Sequence, residues 1–252
     1  MAGTQSIERV VAMLRMVASR GRSGMRLVDI TAASGLPTST CFRMLQRLEI
    51  EGLVERHAVT RKYFLGPLLH ELGLLARPRF PLAGRCDPFL SALAETTQDT
   101  VYLSERRGRE AVCSARALGG YPIKTLILDV GVRRPLGVGA GGLAILCALP
   151  EAEAEAVIDA NAALYPKLST LDHKRVRAAV RLGRAHGFAF LDGAVIPGTA
   201  AVGMAFAAED SIAAISVAAI STRLDATRRV EVARDLERQV RLLTRALAGS
   251  TA

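Results

Sequence analysis

The sequence predicts an α+β protein: a small N-terminal winged helix-turn-helix domain, a linker helix and a larger mixed domain. Three observations carry that expectation. Two short helical patterns meet across the turn Gly35, Leu36, Pro37; two strand-like runs with a polar connection follow them; and beyond residue 81 strand and helix patterns mix without regular βαβ alternation.

Ser6 is placed to cap a helix over residues 7–19, in which Ile7, Val10, Val11, Leu14 and Val17 recur at helical spacing while Arg9 and Arg15 turn outward. Residues 21–24, with a glycine at each end, stop it, and residues 25–27 read as a short strand. The first helix of the pair covers residues 28–34, Gly35 supplies a sharp C-terminal turn, and Pro37 and Thr38 open the second helix. Leu27, Ile30, Ala33 and Ser34 form an inner face against Cys41, Leu45, Leu48 and, past the helix end, Leu53. The other face of the second helix carries Thr38, Ser39, Thr40, Arg43, Gln46 and Arg47. Residues 52–56 and 62–65 are strand-like and flank the polar run HAVTR, which makes a β-wing. Pro67 begins a helix through Leu68, Leu69, Leu72 and Leu75, and residues 77–81, RPRFP, break it. The expected boundaries are therefore residues 1–66 for the winged domain, 67–81 for the linker helix and 82–252 for the larger domain.

In the larger domain, residues 88–97 read as a helix and residues 100–106, 110–117 and 124–130 as strands. Residues 139–142 lead into an apolar helix over 143–149, with further helices over 151–161 and 172–186. Residues 188–191, 200–208 and 212–220 are strand candidates, and Asp225 caps a last helix to about residue 247.

Composition bounds the function. Half of the 252 residues are hydrophobic but only 4% are aromatic and tryptophan is absent, so the interior is built from Ala, Val, Ile and Leu. Residues 1–80 hold 12 Lys and Arg against 6 Asp and Glu, a net +6 of the chain's +9. Two-thirds of the excess charge in the first third of the chain points to a nucleic-acid partner there. Cys41, Cys86, Cys113 and Cys147 are far apart with no paired spacing, which indicates neither a zinc site nor a disulfide framework. The N-terminal helix pattern is interrupted by charge and does not read as a secretory signal, and no apolar run approaches the roughly 20 residues of a membrane span. A cytoplasmic protein with no membrane partner and no cofactor is expected. His173 and His186 flank a helix with no nucleophile motif nearby and read as capping or surface residues; Cys41 reads as core.

In order and spacing, SIERVVAML, GLPTSTCFRMLQRLEIEGLVER, KYFLGPLLHELG, VGVRRPLGVGAGGLAILCALP and HGFAFLDGAVIPG resemble the IclR family of bacterial transcriptional regulators. The resemblance runs from Ser6 to Ala248. It implies a winged DNA-binding domain, a GAF-like effector-binding domain, and a homodimer or homotetramer acting on promoter DNA.

On the DNA side, Thr38, Ser39 and Thr40 lie at the positive end of the recognition helix, where amides and hydroxyls can hold a phosphate. Arg43 is the candidate for reading a guanine edge, with Arg47 one turn on; Arg56, Arg61 and Lys62 are wing candidates for phosphate contact. A dimer would place two such helices at half-sites about 34 Å apart. On the effector side, the resemblance points to Gly139, Ala140, Gly141 and Gly142, whose amides can receive a carboxylate without a cationic side chain. The competing reading is that these glycines only permit close helix-to-sheet packing. Asp192 and Ser216 are candidate polar contacts, while Leu143, Gly193, Ala194 and Ala201 replace polar residues common in the family and imply a more apolar pocket. A small organic acid is the expected effector. Two rival functions remain: a DNA-binding protein whose second domain only oligomerises, and an enzyme with an N-terminal regulatory domain.

Overall fold

The computed structural model describes residues 4–208 and 211–249. The chain divides after Pro81 into two compact units.

The first unit contains α1 (Gln5–Ser19), α2 (Leu27–Ser34), α3 (Thr38–Ile50), β1 (Val54–Arg56), β2 (Tyr63–Leu65) and α4 (Pro67–Ala76). Met13, Val17, Ile30, Cys41, Leu45, Leu48, Val54 and Tyr63 meet in its core, which brings one face of each of the first three helices together. Gly35 takes the left-handed conformation that ends α2, at φ 66°, and its amide donates to Thr31 O. The turn is held further by Ser34, whose Oγ accepts from Leu36 N and lies 3.3 Å from Cys41 Sγ. β1 and β2 pair antiparallel, and Tyr63 exchanges both backbone hydrogen bonds with Met25, which ties the hairpin to the segment before α2.

The second unit contains α5 (Leu82–Thr97), β3 (Thr100–Arg107), β4 (Glu110–Leu118), β5 (Arg133–Pro135), α6 (Ala140–Ala148), α7 (Glu151–Asn161), α8 (Tyr165–Leu168), α9 (His173–His186), β6 (Ala189–Asp192), β7 (Thr199–Ala208), β8 (Ser211–Ile220) and α10 (Ala226–Ala248). The strands form one antiparallel sheet in the order β5-β4-β3-β8-β7-β6. Side chains alternate across it. Val101, Leu103, Val202, Ile215 and Val217 face α5 and α10, while Ala111, Ala189, Leu191 and Ala214 face the layer of α6, α7 and α9. Asp172 and Asp225 cap α9 and α10 by accepting from Arg175 N and Arg228 N.

Several local expectations are corrected. Ser6 lies inside α1, whose N-cap position is Thr4 and which has no side-chain cap bond. Residues 25–27 make a single bridge through Met25, not a strand. α5 starts six residues before Pro88; burial of Cys86 and the bond from Arg85 Nη2 to Leu247 O, at 3.0 Å, help offset the proline's missing amide. α6 begins at Ala140, which puts Gly141 and Gly142 within its first turn, and α8 has no counterpart in the sequence reading. Residues 124–130 form no strand: carbonyls there accept from side chains instead of a neighbouring ladder, and the edge strand comes later as β5.

Candidate functional site

Two places concentrate polar groups without internal partners. The first is the outer face of α3. Cys41, Leu45 and Leu48 are buried, so Thr38, Ser39, Arg43, Gln46 and Arg47 are exposed on the opposite side and Thr40 is half-buried. Pro37 occupies the N-cap position without a side-chain cap bond; Thr40 N donates to Pro37 O, which leaves the amides of Thr38 and Ser39 without a partner in the helix. Arg47 pairs with Glu51 one turn on, whereas Arg43 has no ion-pair partner among the described residues.

The wing is more constrained. His57 Nδ1 accepts from the amides of Val59 and Thr60 and shapes the turn; Arg61 is exposed at φ 57°. Lys62 Nζ donates to Ser23 O at 2.8 Å, and the Arg56 guanidinium lies 5.3 Å from the centre of the Tyr63 ring. Lys62 therefore already has a hydrogen-bond partner within the unit, whereas Arg56 meets the ring and its Nε is buried without a partner among the described residues. Burial raises the Tyr63 phenol above its usual range, which the nearby Arg56 partly opposes.

The second place is a small cavity in the second unit. Its floor is the sheet face carrying Tyr102 and Ser104 from β3, Ser216 and Ala218 from β8, and Ala201 from β7. Pairing explains their convergence: Ser216 is opposite Tyr102 on one side and Gly203 on the other, and Ala218 is opposite Ala201. The N-terminal end of α6, Gly139 to Gly142, forms one wall, and Ile127, Leu128 and Arg134 form the other. Its volume is only about 30 Å³. Ser104 and Ser216 are 4% and 6% exposed, and neither hydroxyl has a hydrogen-bond partner among the described residues.

The glycines divide between the two readings made of them. A Cβ on Gly141 would stand 2.5 Å from Ser104 Oγ, and one on Gly203 would stand 2.5 Å from Ala140 O, so both positions let α6 sit on the sheet. Gly139, at φ 85° and ψ 154°, has open space beside it and lets the helix start at the cavity edge.

Of the residues expected around an effector, Ala201, Ser216 and the 139–142 segment line this cavity. Asp192 does not; its carboxylate accepts from Ser221 Oγ at 2.6 Å. Leu143 is buried in the layer of α6, α7 and α9, and neither it nor Ala194 reaches the cavity. The lining is mostly apolar, and Arg134 adds a cation that the sequence reading did not name; its Nη2 donates to Ile127 O at 2.5 Å. Burial lowers its guanidinium below the ordinary value. Tyr102 is also raised by burial, with Arg116 opposing, and its hydroxyl donates to Thr125 O. Strand alternation places Arg134 there: in β5, Arg133 turns out to Glu110 and Arg134 therefore turns in, which shows only once the register of β5 against β4 is known.

Residues 77–245 match the family described as bacterial transcriptional regulator IclR C-terminal, and residues 6–58 match the IclR helix-turn-helix domain. The chain belongs to the IclR family. Among its relatives is the HTH-type transcriptional regulator TtgV of Pseudomonas putida, 28% identical over 156 residues, 62% of this chain and 59% of TtgV. KipR of Bacillus subtilis is 30% identical across 54% of each chain. The matched stretch thus spans little more than half the length of these two relatives. XynR of Escherichia coli is 24% identical and aligns over 96% of this chain and 97% of its own. A transcriptional regulator of the same family from Alicyclobacillus acidocaldarius has the same fold, with a TM-score of 0.76 at 22% identity over 96% of this chain and 98% of its own. An IclR homologue from Microbacterium hydrocarbonoxydans, solved with 4-hydroxybenzoate, has a TM-score of 0.72 at 21% identity, covering 96% of this chain and 100% of its own.

Proposed function

We propose that this IclR-family chain is a transcriptional regulator that binds promoter DNA through α3 and responds to a small organic carboxylate held in the cavity beneath α6. The observation that carries the DNA half is the outward face of α3, where Thr38, Ser39, Arg43 and Gln46 present donors to solvent. Such a helix fits the major groove, its first-turn amides and hydroxyls meeting phosphate and Arg43 reaching a base edge. Arg47 contributes after exchanging Glu51 for DNA, and Arg61, Arg56 and Lys62 bring positive charge from the wing.

Gel-shift titration against the DNA upstream of its own gene tests this. Arg43→Ala should weaken specific binding by about 1–3 kcal/mol and relax preference at one base pair, with little effect on nonspecific binding. Unchanged affinity removes Arg43 from the reading surface.

The effector half is supported by the buried, unpaired hydroxyls of Ser104 and Ser216 beside the start of α6. The homologue solved with 4-hydroxybenzoate makes an aromatic acid a reasonable first probe. A ligand of this kind acts by binding two arrangements of the regulator with different affinity. Thermal-shift measurements against organic acids should find one that stabilises the chain. No shift across a broad panel, with DNA binding intact, favours a second domain that only oligomerises; the small cavity volume is the observation on that side.

Self-association is part of the reading. α4 buries none of its residues, and Leu72, Leu74 and Leu75 are 50%, 54% and 79% exposed. An apolar helix left so uncovered fits a second copy of the chain. Leu75→Asp should lower the sedimentation mass, and an unaltered mass would place the interface elsewhere.

A further inference from the structure

The cavity beneath α6 holds about two water molecules at 30 Å³. An organic acid of more than a few heavy atoms enters only if a wall moves. The sheet cannot give way easily, because α6 lies against it through backbone at Gly203 and through Ser104 at Gly141. The opposite wall is built differently. The segment between β4 and β5 is joined to the sheet by backbone bonds near its ends, from Tyr121 N to Gln98 O and from Gly131 N to Cys113 O. Between those points its carbonyls are held by side chains: Tyr102 to Thr125, Arg134 to Ile127, and Arg116 to Leu128. Ile123, Leu126 and Val130 on the same segment are each more than half exposed.

We propose that Arg134 is the carboxylate-binding cation of this cavity and also the latch that keeps residues 122–130 closed over it when no acid is bound. The inference rests on the effector reading above and adds to it both the group that recognises the acid and the wall that admits it. Arg134 is the cation lining the cavity, and its acceptor, the neutral Ile127 carbonyl, is a weaker partner than a carboxylate. An entering acid takes over the guanidinium, its second oxygen reaches the Ser104 and Ser216 hydroxyls and the first amides of α6, and the Ile127 carbonyl is released to water. The change in the cavity thereby becomes a change in the exposure of the segment carrying Ile123 and Leu126. Desolvation of the guanidinium by its surroundings, which lowers its pKa, strengthens its attraction for an anion inside the cavity.

The test uses the full chain and has a ligand-free arm and a ligand arm. In hydrogen exchange without added acid, Arg134→Gln should speed exchange of amides 123–130 and leave β3 and β8 unchanged. Tyr102→Phe, which removes only the Thr125 bond, should loosen the same segment. Equal protection in Arg134→Gln and the unaltered chain overturns the latch. In calorimetric titrations with acetate, pyruvate, benzoate and 4-hydroxybenzoate, each paired with its neutral amide, an acid should bind in preference to its amide. Arg134→Gln should weaken that acid about 10- to 100-fold and abolish the preference, and Arg134→Lys should keep the preference. Acid binding should speed exchange in residues 123–130.

An acid that binds Arg134→Gln as tightly as the unaltered chain, or that slows exchange in the segment, overturns the proposal and leaves the effector reading standing. Failure of every acid to bind the unaltered chain overturns the carboxylate role and the effector reading together, whatever the exchange experiment shows of the latch.

Discussion

Two buried polar clusters lie in the second unit, and they differ in how completely their groups are paired. Around Asp99, 4% exposed, the carboxylate is fully engaged: Arg223 donates from Nε and Nη2, Arg228 donates from Nη2, and both also reach Thr97 O, while Arg228 Nε is buried without a partner among the described residues. Arg223 stacks 3.7 Å over the Tyr121 ring. Around Ser104 and Ser216 the bonding is looser, with two cavity-facing hydroxyls bonded to no described residue and one guanidinium on a neutral carbonyl. The first cluster joins the end of α5, the start of β3 and the start of α10 into one piece. The second leaves hydrogen-bonding capacity for something else to use. Paired polar groups fix a fold, and unpaired ones inside a cavity mark where a ligand would find its partners.

The sharpest way to break this contrast is Asp99→Ala. Removing the carboxylate leaves Arg223 and Arg228 without a counter-ion at side-chain exposures of 22% and 33%. That partial exposure softens the loss, so about 3 kcal/mol of unfolding free energy should disappear in urea titration. A loss below a few tenths of a kcal/mol would mean that the cluster contributes nothing net and the distinction fails.

Next in size is Gly203→Ala. Its Cβ would stand 2.5 Å from Ala140 O and 2.8 Å from Ala140 C, which are backbone atoms of the α6 terminus and cannot rotate away. Overpacking of this kind costs about 2 kcal/mol. It should also lift α6 from the cavity floor and weaken whatever acid the unaltered chain binds. Full stability with unchanged binding would show that the close approach of helix and sheet is not what shapes the cavity.

The same contrast explains which parts were legible in the sequence. α1, α3 and α10 show because one face of each repeats at helical spacing, and Asp172 and Asp225 announce helix starts by their side chains. The beginning of α5 was hidden by Pro88, whose local penalty is outweighed by contacts made by Cys86 and Arg85 with residues far along the chain. Residues 124–130 have the apolar character of a strand, but Tyr102, Arg116 and Arg134 claim their carbonyls. That competition depends on tertiary placement and leaves no local mark. In the candidate site, Ser216 and the 139–142 segment could be named because the family resemblance pointed to them. Tyr102, Ser104 and Arg134 could not, since a tyrosine, a serine and one of two adjacent arginines acquire meaning only when the sheet register sets them on one face. Asp192 shows the reverse error: acidic and near a turn, it satisfies Ser221 outside the cavity.

The smallest expected effect is also the most diagnostic, because only one of the two clusters should lose stability on a similar deletion. Thr97→Val removes a hydroxyl that donates to Leu93 O at 2.8 Å, and should cost about 1 kcal/mol. Ser104→Ala and Ser216→Ala remove hydroxyls that face the cavity and bond no described residue, so each should leave stability within about 0.5 kcal/mol of the unaltered chain. Alanine also retains the Ser104 Cβ that lies beside Gly141. The same two serine variants should bind a carboxylate more weakly. Urea titration of all three variants decides it: if the serine variants lose as much stability as Thr97→Val, their hydroxyls are structural, and the cavity belongs with the Asp99 cluster.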